Sequence, residues 1–366
     1  MPRLLKNIKE TLSSISPGKV FVGLSGGVDS AVSVALLKER GFNVTGVFIK
    51  VWQPDFLPCS WRDERREAMR VTIALGIPFL FFDFEEEYKK GVVDKMIAEY
   101  KIGRTPNPDV LCNKEIKFGA FWKKAKEMGA DFVATGHYAQ IEDRKLKEGK
   151  DREKDQSYFL WTLTQDDLSH MLFPVGNMEK SEVRKLARKY NLPVSEKKDS
   201  QGICFIGETR MDEFLSHFVS VKPGEVLNPK GEVIGIHRGT LLYTIGERHG
   251  FEITKKQPED GAFYILSKDM EANTITVSNK VPEIISLSPT KIMVKDTNWI
   301  TRPMGSMLSA RIRYRGEKFS ITLGHGVSKQ VTVEFREPMR GLSLGQSIVF
   351  YNNDVCLGGG VMDKIS

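Results

Sequence analysis

The chain has 366 residues, a formal net charge of +7 and 40% hydrophobic residues. This length predicts two or three domains with enough core to fold without disulfides, and the composition is that of an ordinary soluble globular protein. No apolar run is long enough to cross a membrane, and the four cysteines lie far apart with no C-x-x-C pair. We therefore expect a cytoplasmic protein with no membrane partner, no structural zinc and no structural disulfides.

The first predicted elements are an apolar strand at residues 20–22 and a helix over residues 31–40. The loop between them reads Gly23-Leu24-Ser25-Gly26-Gly27-Val28-Asp29-Ser30. Two glycines let the backbone approach an anion closely, and the first turn of the helix presents unpaired N–H groups with partial positive charge. The same residues would also suit a tight turn whose helix is capped by Asp29 or Ser30.

This loop has neither the Gly-Lys-Ser/Thr ending of a Walker A loop nor the spacing of the dinucleotide fingerprint. The full string Ser-Gly-Gly-Val-Asp-Ser after an apolar strand resembles the pyrophosphate loop of the N-type ATP pyrophosphatases. The resemblance implies that the loop binds ATP, which these enzymes cleave between the α- and β-phosphates.

Apolar segments alternate with predicted helices along the next part of the chain. The segments are residues 44–51, 79–82 and 132–135, and the helices are residues 62–75 and 85–100. Such alternation predicts a parallel sheet covered by helices on both faces, whose ligands bind beyond the carboxyl ends of the strands. We predict an α/β catalytic domain of the ATP pyrophosphatase type, similar to the adenine nucleotide α-hydrolases, over residues 1–210.

A second motif, residues 105–118, begins with two prolines and contains Cys112. The prolines force an extended entry, and we expect Asp109 to cap a helix that runs to residue 128. Cys112 would then lie in the first helical turn, where the helix dipole favours the thiolate. A cysteine is by default an inert hydrophobe, but this placement makes Cys112 a candidate reactive thiolate.

Cys204 is the second cysteine with unusual neighbours. Within Ile-Cys-Phe-Ile it would ordinarily belong to the core, but Asp-Ser-Gln-Gly before it and Gly207 after it favour a flexible loop that could carry a thiol to a partner.

The strand at residues 132–135 ends in Gly136-His137, which could lie beside a nucleotide. A lone histidine there is more often a structural hydrogen-bonding residue. The charged run at residues 142–155 predicts a mobile, solvated excursion, and the polar and aromatic residues that follow it suit either RNA contact or strand entry.

Turn-punctuated β patterns follow the first domain. We predict a small, mostly β central domain over residues 211–283 and an antiparallel β-barrel over residues 284–366. The last segment holds 11 Lys/Arg against 6 Asp/Glu, which favours a polyanionic partner such as nucleic acid, although a basic domain can also serve only solubility. Arg311, Arg313 and Arg315 would project to one side of a strand, either as a basic stripe beside Tyr314 or as an ordinary polar face.

Taken together, the motifs resemble those of the tRNA-specific 2-thiouridylases. They are Ser-Gly-Gly-Val-Asp-Ser at 25–30, the Pro/Cys motif at 105–118, Ala-Thr-Gly-His-Tyr-Ala at 134–139, Lys-Asp-Gln-Ser-Tyr-Phe-Leu at 154–160 and Gly-Ile-Cys-Phe-Ile-Gly at 202–207. Residues 237–246 and 355–360 fit the same family, so the resemblance covers nearly the whole chain. Gln201 stands where that family commonly has threonine, and Ile49 stands where methionine often lines the adenine pocket.

The resemblance implies a tRNA-uridine 2-sulfurtransferase that thiolates the wobble uridine, position 34, of tRNA. ATP would be held by residues 23–30, with Ile49 and Gly136 near the adenosine and Mg²⁺ neutralising the phosphates. The uracil O2 would be adenylated with release of pyrophosphate, and AMP would leave when sulfur arrives. Asp109 would act as general acid or base beside the flipped base.

The resemblance also implies a sulfur route and a tRNA interface. A sulfur-relay protein or a cysteine desulfurase would load a persulfide onto Cys204, and Cys112 would attack it, releasing sulfide or leaving a Cys112–Cys204 disulfide. The implied tRNA contacts are Asn107, Pro108 and Asp109 at the target base, then His137, Lys154, Asp155 and Gln156, and finally Arg313, Tyr314 and Gln346 at the anticodon stem-loop.

Two other classes of protein stay open from the residues alone. One is a different ATP pyrophosphatase that amidates or ligates a small metabolite, as GMP and NAD synthetases do, and it would need neither cysteine nor a basic barrel. The other is a non-catalytic RNA-binding protein with a relict nucleotide loop, which would form no AMP.

Overall fold

The computed structural model describes residues 16–57, 61–199, 210–254, 260–280, 288–324 and 329–365. Cys204 and its neighbours Gln201 and Gly207 lie outside these ranges. Within them the strands form three sheets of five, five and eight strands. No helix of the described residues combines the length and apolar character needed to cross a membrane.

The first sheet is parallel, with its first strand at the centre in the order β3-β2-β1-β4-β7. Its strands are β1 (Lys19–Gly23), β2 (Asn43–Lys50), β3 (Phe79–Asp83), β4 (Phe132–Ala134) and β7 (Met171–Leu172). Phe21 packs into one hydrophobic cluster while Val20 and Val22 pack into another, so both faces of β1 are buried. This confirms the predicted α/β fold with a doubly covered parallel sheet.

Helices cover the two faces of this sheet. They are α1 (Val28–Glu39), α2 (Trp61–Leu75), α3 (Glu85–Tyr88), α4 (Asp94–Lys101), α5 (Pro108–Cys112), α6 (Phe121–Glu127), α7 (Gln165–His170) and α8 (Lys180–Lys189). The helices predicted over residues 85–100 and up to residue 128 are present, but each contains a π-helical segment, Lys89–Val93 and Asn113–Ala120 respectively. Such segments are frequent at functional sites, and the second one follows Cys112 directly.

The charged run at residues 142–155 is not a solvated excursion, so that prediction is wrong. Its first part belongs to a hairpin of β5 (Ala139–Glu142) and β6 (Lys145–Glu148), and β6 pairs with the last strand of the chain. Leu146 is fully buried and lies opposite Cys356. Leu146 therefore gives the hairpin a buried apolar contact with the barrel, and ion pairs of Lys147 and Glu148 with residues of the barrel add to it.

The second sheet is mixed, with order β10-β9-β8-β12-β11 and one parallel pair, β8 with β12. After helix α9 (Met211–Ser216) its strands are β8 (Gly224–Leu227), β9 (Val233–His237), β10 (Phe251–Ile253), β11 (Tyr264–Asp269) and β12 (Thr274–Ser278). A small core of Val226, Tyr243, Ile265, Ile275 and Val277 holds it together.

The last six strands form the predicted barrel. They are β13 (Lys291–Trp299), β14 (Met307–Arg311), β15 (Phe319–Leu323), β16 (Gln330–Phe335), β17 (Ser347–Asn352) and β18 (Val355–Ile365). All neighbours are antiparallel, and β13 pairs with both β16 and β18, which closes the barrel. This closure leaves no free edge between the first and last strands. The domain boundaries at residues 210 and 283 stay predictions.

Replacing Leu146 with alanine tests how the hairpin is held. The substitution removes buried methyl groups from the contact with the barrel, so we expect the free energy of unfolding to fall by about 2–4 kcal/mol. Denaturant unfolding followed by circular dichroism measures this loss. Lys145→Ala, at an exposed position of the same strand, is the matched control, and equal effects of the two substitutions would contradict the buried-contact interpretation.

Candidate nucleotide and thiol site

The Ser/Gly loop joins β1 to α1 at the carboxyl end of the parallel sheet, as predicted. Gly26 has a φ of +70°, and a Cβ there would lie 2.8 Å from the carbonyl oxygen of Glu64 in α2. The Ser25 N–H donates to Ser30 Oγ at 3.3 Å, and that hydroxyl donates to the Gly27 carbonyl at 3.1 Å. The loop is therefore held by the hydrogen bonds of its own serine, and the close approach of the neighbouring helix leaves room only for glycine at position 26.

Helix α1 starts at this loop without a side-chain cap. Gly27 is the N-cap, no side chain of the described residues bonds to the first turn as a cap, and the first helical bond runs from Ala31 N–H to the Gly27 carbonyl at 3.3 Å. The expectation that Asp29 or Ser30 would cap the helix is thus wrong, because the helix begins before them. The N–H groups of the first turn have no helical acceptor, which suits a phosphate group.

Ile49 and Gly136, expected near the adenosine, both lie against the loop. A Cβ on Gly23 would be 3.8 Å from Ile49 Cδ1, and a Cβ on Gly136 would be 2.7 Å from the Ser30 nitrogen. Gly136 is thus required for the close approach of the chain after β4 to the start of α1. The structure brings all of the predicted nucleotide-site residues together.

Asp29 is bound by two residues from outside the loop. The Tyr138 hydroxyl donates to its Oδ1 at 2.7 Å, and Lys180 Nζ contacts Oδ1 and Oδ2 at 2.7 and 2.8 Å. Burial, followed by the neighbouring Asp29 carboxylate, raises the pKa of Tyr138, so its hydroxyl stays a donor. Lys180 is the first residue of α8, and the sequence interpretation missed its role.

Lys180 also contacts a second carboxylate, Asp199, at 2.9 Å. Lys154 and Arg184 bind the same carboxylate, each at 2.7 Å. Burial alone would raise the pKa of Asp199, but the hydrogen bonds from Lys154 and Lys180 lower it to about 2. We call Asp29, Lys154, Lys180, Arg184 and Asp199 the Lys180 cluster. The one sequence signal for it is a lysine in the first turn of a helix, where the helix dipole disfavours a cation.

The helix that carries Cys112 is capped by Asn107 and not by Asp109. Asn107 Oδ1 accepts a hydrogen bond from Val110 N–H at 3.3 Å, and Pro108 occupies the first helical position. Proline is favoured at that position because its missing N–H is not needed there, and this moves the cap to the preceding residue. Cys112 therefore ends the five-residue helix α5 instead of lying in its first turn, and it is buried in the domain core, 4% exposed.

The positive charge of Lys117 acts on both Asp109 and His137. Burial raises the pKa of Asp109, and the positive charge of Lys117 counters that effect. Burial, followed by Lys117, lowers the pKa of His137 well below its usual value, so its imidazole is neutral. The His137 ring contacts Phe118 and Phe173, and its Nδ1 lies 2.7 Å from Thr135 Oγ1.

Several predicted tRNA contacts are engaged inside the protein. Lys154 belongs to the Lys180 cluster, and Gln156 Oε1 accepts from Tyr138 N–H at 3.0 Å. Asp155 is buried and accepts from the N–H groups of Gly149 and Ser157, both at 3.0 Å, while Arg311 pairs with it at 2.6 Å. His137 is likewise buried.

The one-sided basic stripe at Arg311, Arg313 and Arg315 is wrong. Strand β14 ends at Arg311, and Arg315 has a φ of +59°, so the chain turns before alternation can continue. Arg311 also pairs with Glu148 at 2.8 Å, and Arg313 Nη2 donates to the carbonyls of residues 245 and 341. Tyr314 packs on Phe159, with ring centroids 4.5 Å apart.

Gln346 contacts the chain just before the helix that carries Cys112. Its Nε2 donates to the Thr105 carbonyl at 3.0 Å and to the Pro106 carbonyl at 3.4 Å. Thr105 N–H donates to the Leu344 carbonyl at 2.8 Å, and Arg104 pairs with Asp363 at 2.8 Å. These hydrogen bonds and this ion pair hold the stretch of chain that leads into the helix against the barrel.

Comparison with known proteins agrees with this architecture. Residues 18–208 match a family model described as the tRNA methyl transferase HUP domain. Residues 212–279 match the tRNA methyl transferase PRC-barrel domain, and residues 289–362 match the aminomethyltransferase beta-barrel domain. The fold and the loop therefore define a HUP-type α/β protein followed by two β modules.

Relatives with established names are similar over almost the whole chain. The tRNA-specific 2-thiouridylase MnmA of Listeria welshimeri is 43% identical, with 95% of each chain covered. MnmA 2 of Aliarcobacter butzleri is also 43% identical, covering 93% of this chain and 97% of that protein, and MnmA of Francisella philomiragia is 44% identical, covering 94% and 99%. The chain belongs to the tRNA-specific 2-thiouridylase family, which confirms the resemblance predicted from its motifs.

Asp155→Asn distinguishes a structural role of this carboxylate from a direct tRNA contact. Asp155→Asn removes the charge of one of the two carboxylates that pair with Arg311, the other being Glu148, so we expect the free energy of unfolding to fall by about 1–3 kcal/mol. Urea unfolding measures the change, with the exposed neighbour substitution Glu153→Gln as control. Wild-type stability combined with weakened tRNA binding would contradict the structural role.

Proposed function

We propose that this protein is an ATP-dependent tRNA sulfurtransferase that converts the wobble uridine, position 34, to 2-thiouridine. The observation that carries the proposal is that the nucleotide loop and the helix of Cys112 both contact the segment of Gly136 and His137. A Cβ on Gly136 would lie 2.7 Å from the Ser30 nitrogen of the nucleotide loop, while the ring of its neighbour His137 packs on Phe118, with ring centroids 5.7 Å apart, in the π-helical segment that follows Cys112. A phosphate cradle and a carboxylate–thiol helix therefore flank one short segment of the same domain.

The first half-reaction we propose is adenylation. The uncapped first turn of α1 would hold the phosphates of ATP, and Ile49 and Gly136 would border its adenosine. The uracil O2 would attack the α-phosphorus, the bond to the β-phosphate would break, and pyrophosphate would leave. The result is a uracil whose C2 carries AMP as a leaving group in place of an unreactive oxygen.

Asp109 would act beside the target base, between Asn107 and Pro108 on one side and Cys112 on the other. Its carboxylate would accept the N3 proton of uracil as O2 attacks, which increases the nucleophilicity of that oxygen. Burial, which raises its pKa, prepares it for this task because it binds a proton more readily than an exposed aspartate does.

The second half-reaction we propose is sulfur transfer. A sulfur-relay protein or a cysteine desulfurase would load Cys204 with a persulfide, and the Cys112 thiolate would attack its inner sulfur. That step forms a Cys112–Cys204 disulfide and releases hydrosulfide, which attacks C2 and expels AMP. A thiol reductant would return the two electrons that reset the disulfide. Direct attack of the persulfide on C2 is the variant that the same residues also support.

A magnesium ion fits this site as a partner of the nucleotide. Among the described residues no cluster of three His, Cys, Asp or Glu side chains is arranged for a metal, and the Asp29 carboxylate at the loop is shared with Lys180 and Tyr138, so the phosphates of the nucleotide would supply most of the ligands. Mg²⁺ is commonly bound by one or two carboxylates together with substrate phosphates, and it would supply neutralisation of phosphate charge.

The tRNA would lie across the predicted contacts from the Asn107 helix to Arg313, Tyr314 and Gln346. The packed pair of Phe159 and Tyr314 offers ring faces next to the catalytic helix, since the Phe159 carbonyl accepts from Asn113 Nδ2. Unstacked loop bases are commonly read by such rings. ATP and tRNA are both present in the cytoplasm, where we propose that the protein acts.

Mass spectrometry of tRNA nucleosides tests this function. Reaction with ATP, Mg²⁺ and a persulfide donor is expected to yield 2-thiouridine at position 34 and to release AMP, and Cys112→Ala or Cys204→Ala is expected to reduce the 2-thiouridine yield at least about a hundredfold. Cys356→Ala is the matched control, because Cys356 is buried in the barrel and burial raises its pKa to about 12. Full activity of both cysteine variants would overturn the sulfur-transfer mechanism.

The pH profile tests the role of Asp109. As a base, Asp109 works only when ionised, so the rate of 2-thiouridine formation should fall as the pH drops through its pKa, which burial places above the ordinary range. Lys117→Gln removes the cation that favours the carboxylate, so the acid limb of the kcat/KM profile should move to higher pH. An acid limb at the same pH in both proteins would contradict the assignment.

A further inference from the structure

Lys180 stands between two carboxylates that belong to different parts of the catalytic domain. Its Nζ is 2.7 and 2.8 Å from the oxygens of Asp29 and 2.9 Å from Asp199 Oδ1. The side chain is 13% exposed, so these contacts are largely shielded from water. Its Nζ also lies 5.9 Å from the ring centroid of Tyr138, whose hydroxyl binds the same Asp29.

The backbone at Lys180 is fixed as firmly as its side chain. Its N–H donates to Asp151 Oδ2 at 2.9 Å, and Glu179 and Glu182 form a capping box at the start of α8. Lys150 from the same loop as Asp151 pairs with Glu182 at 2.9 Å. A cation in the first turn opposes the helix dipole, so the helix itself gains nothing from this lysine. The benefit of the lysine must therefore come from the carboxylates that it reaches.

The first benefit concerns the nucleotide loop. Asp29 lies in the first turn of α1, the turn whose N–H groups suit a phosphate. An uncompensated carboxylate there would repel a polyphosphate across a short distance in a partly desolvated site. Lys180 cancels that charge and, together with Tyr138, fixes the direction of the carboxylate.

The second benefit concerns Asp199, which is also bound by Lys154 and Arg184. Asp199 precedes Cys204 by five residues in the sequence. Lys180 is thus the one residue of the Lys180 cluster that contacts both the loop carboxylate and the carboxylate on the approach to Cys204.

We propose that Lys180 is a positioning residue for both half-reactions: by binding Asp29 and Asp199 at once, it compensates the charge of the nucleotide loop and fixes the position of Asp199, five residues before Cys204 in the sequence, relative to that loop. The inference rests on the proposed function. It assigns Lys180 no contact with the reacting atoms, and its effect passes through Asp29 and Asp199.

Lys180→Met is the principal test, with AMP and 2-thiouridine measured in the same reaction. Without Lys180 the Asp29 carboxylate is uncompensated and repels the phosphates of ATP. The KM for ATP should therefore rise at least about tenfold. The yield of 2-thiouridine per AMP should also fall, because adenylate formed out of register is lost to water. Lys180→Arg, which keeps the charge, should recover most of both values. Lys185→Met, at an exposed position of the same helix, should behave as the wild type.

The outcomes separate positioning from a merely structural role. A lower kcat with unchanged KM for ATP and unchanged yield per AMP would overturn the proposal, and so would the absence of any effect. If thermal unfolding shows that Lys180→Met does not fold, Asp199→Asn replaces it, since it removes only one of the two bridges. That variant should lower the yield of 2-thiouridine per AMP, and an unchanged yield would overturn the proposal.

The proposed function and this inference fail in different ways. A wild-type protein that forms neither AMP nor 2-thiouridine would contradict the function. In that case equilibrium dialysis of ATP against the wild type and Lys180→Met still tests the loop contact, and equal affinities would overturn the inference by themselves.

Discussion

The carboxylate of Asp29 is the group on which the arrangement of the catalytic domain depends. It lies in the first turn of α1, where a negative charge suits the helix dipole but competes with any anion that the loop binds. Tyr138 and Lys180 both reach it, from positions 109 and 151 residues further along the chain. The Asp29 side chain therefore connects the nucleotide loop with the segment after β4 and with the start of α8.

The stretch before the Cys112 helix is held from the opposite side. Gln346, 241 residues away in the sequence, binds the carbonyls of Thr105 and Pro106, and Thr105 Oγ1 lies 3.2 Å from Thr244 Oγ1 of the central part. Proline has a fixed φ, so the two prolines restrict the conformations open to this stretch. The barrel thus does more than contribute charge, since it binds the stretch of chain that leads into the helix of Asp109 and Cys112.

Local patterns were sufficient to predict the parallel sheet, the nucleotide loop and the barrel. Each of these is indicated by a pattern that depends only on the local backbone: continuous apolar strands, paired glycines and short alternating segments. The cap at Asn107 was within reach of the same reasoning, because proline at the first helical position shifts the cap by one or two residues. Asp109 lies one residue beyond Pro108, already inside the helix, and so does not cap it.

Contacts between distant segments were beyond such patterns. The pairing of Leu146 with Cys356 depends on a strand 210 residues later, and nothing near residues 142–155 indicates it. For Lys180 the local signal is a lysine in the first turn of a helix, and that signal does not identify Asp29 and Asp199 as its partners. Burial of Cys112 is a third case, because a thiol at 4% exposure reaches a macromolecular substrate only after its surroundings rearrange.

For charge as well, the number of basic residues in the sequence does not show which of them are paired in the structure. The excess of Lys and Arg in the barrel predicts a polyanionic partner. However, Arg311 forms ion pairs with Asp155 and Glu148, and Lys318 also pairs with Glu148. A cation inside such a pair adds little to the field that a distant phosphate experiences, because its partner cancels it within a Debye length. Exposed cations of the barrel remain for the attraction of RNA, and its exposed arginines are Arg302, Arg313, Arg315, Arg336 and Arg340. Of these, Arg315 lies against Tyr314, with its guanidinium 5.1 Å from the ring centroid, so charge and a stacking surface meet at one point of the barrel.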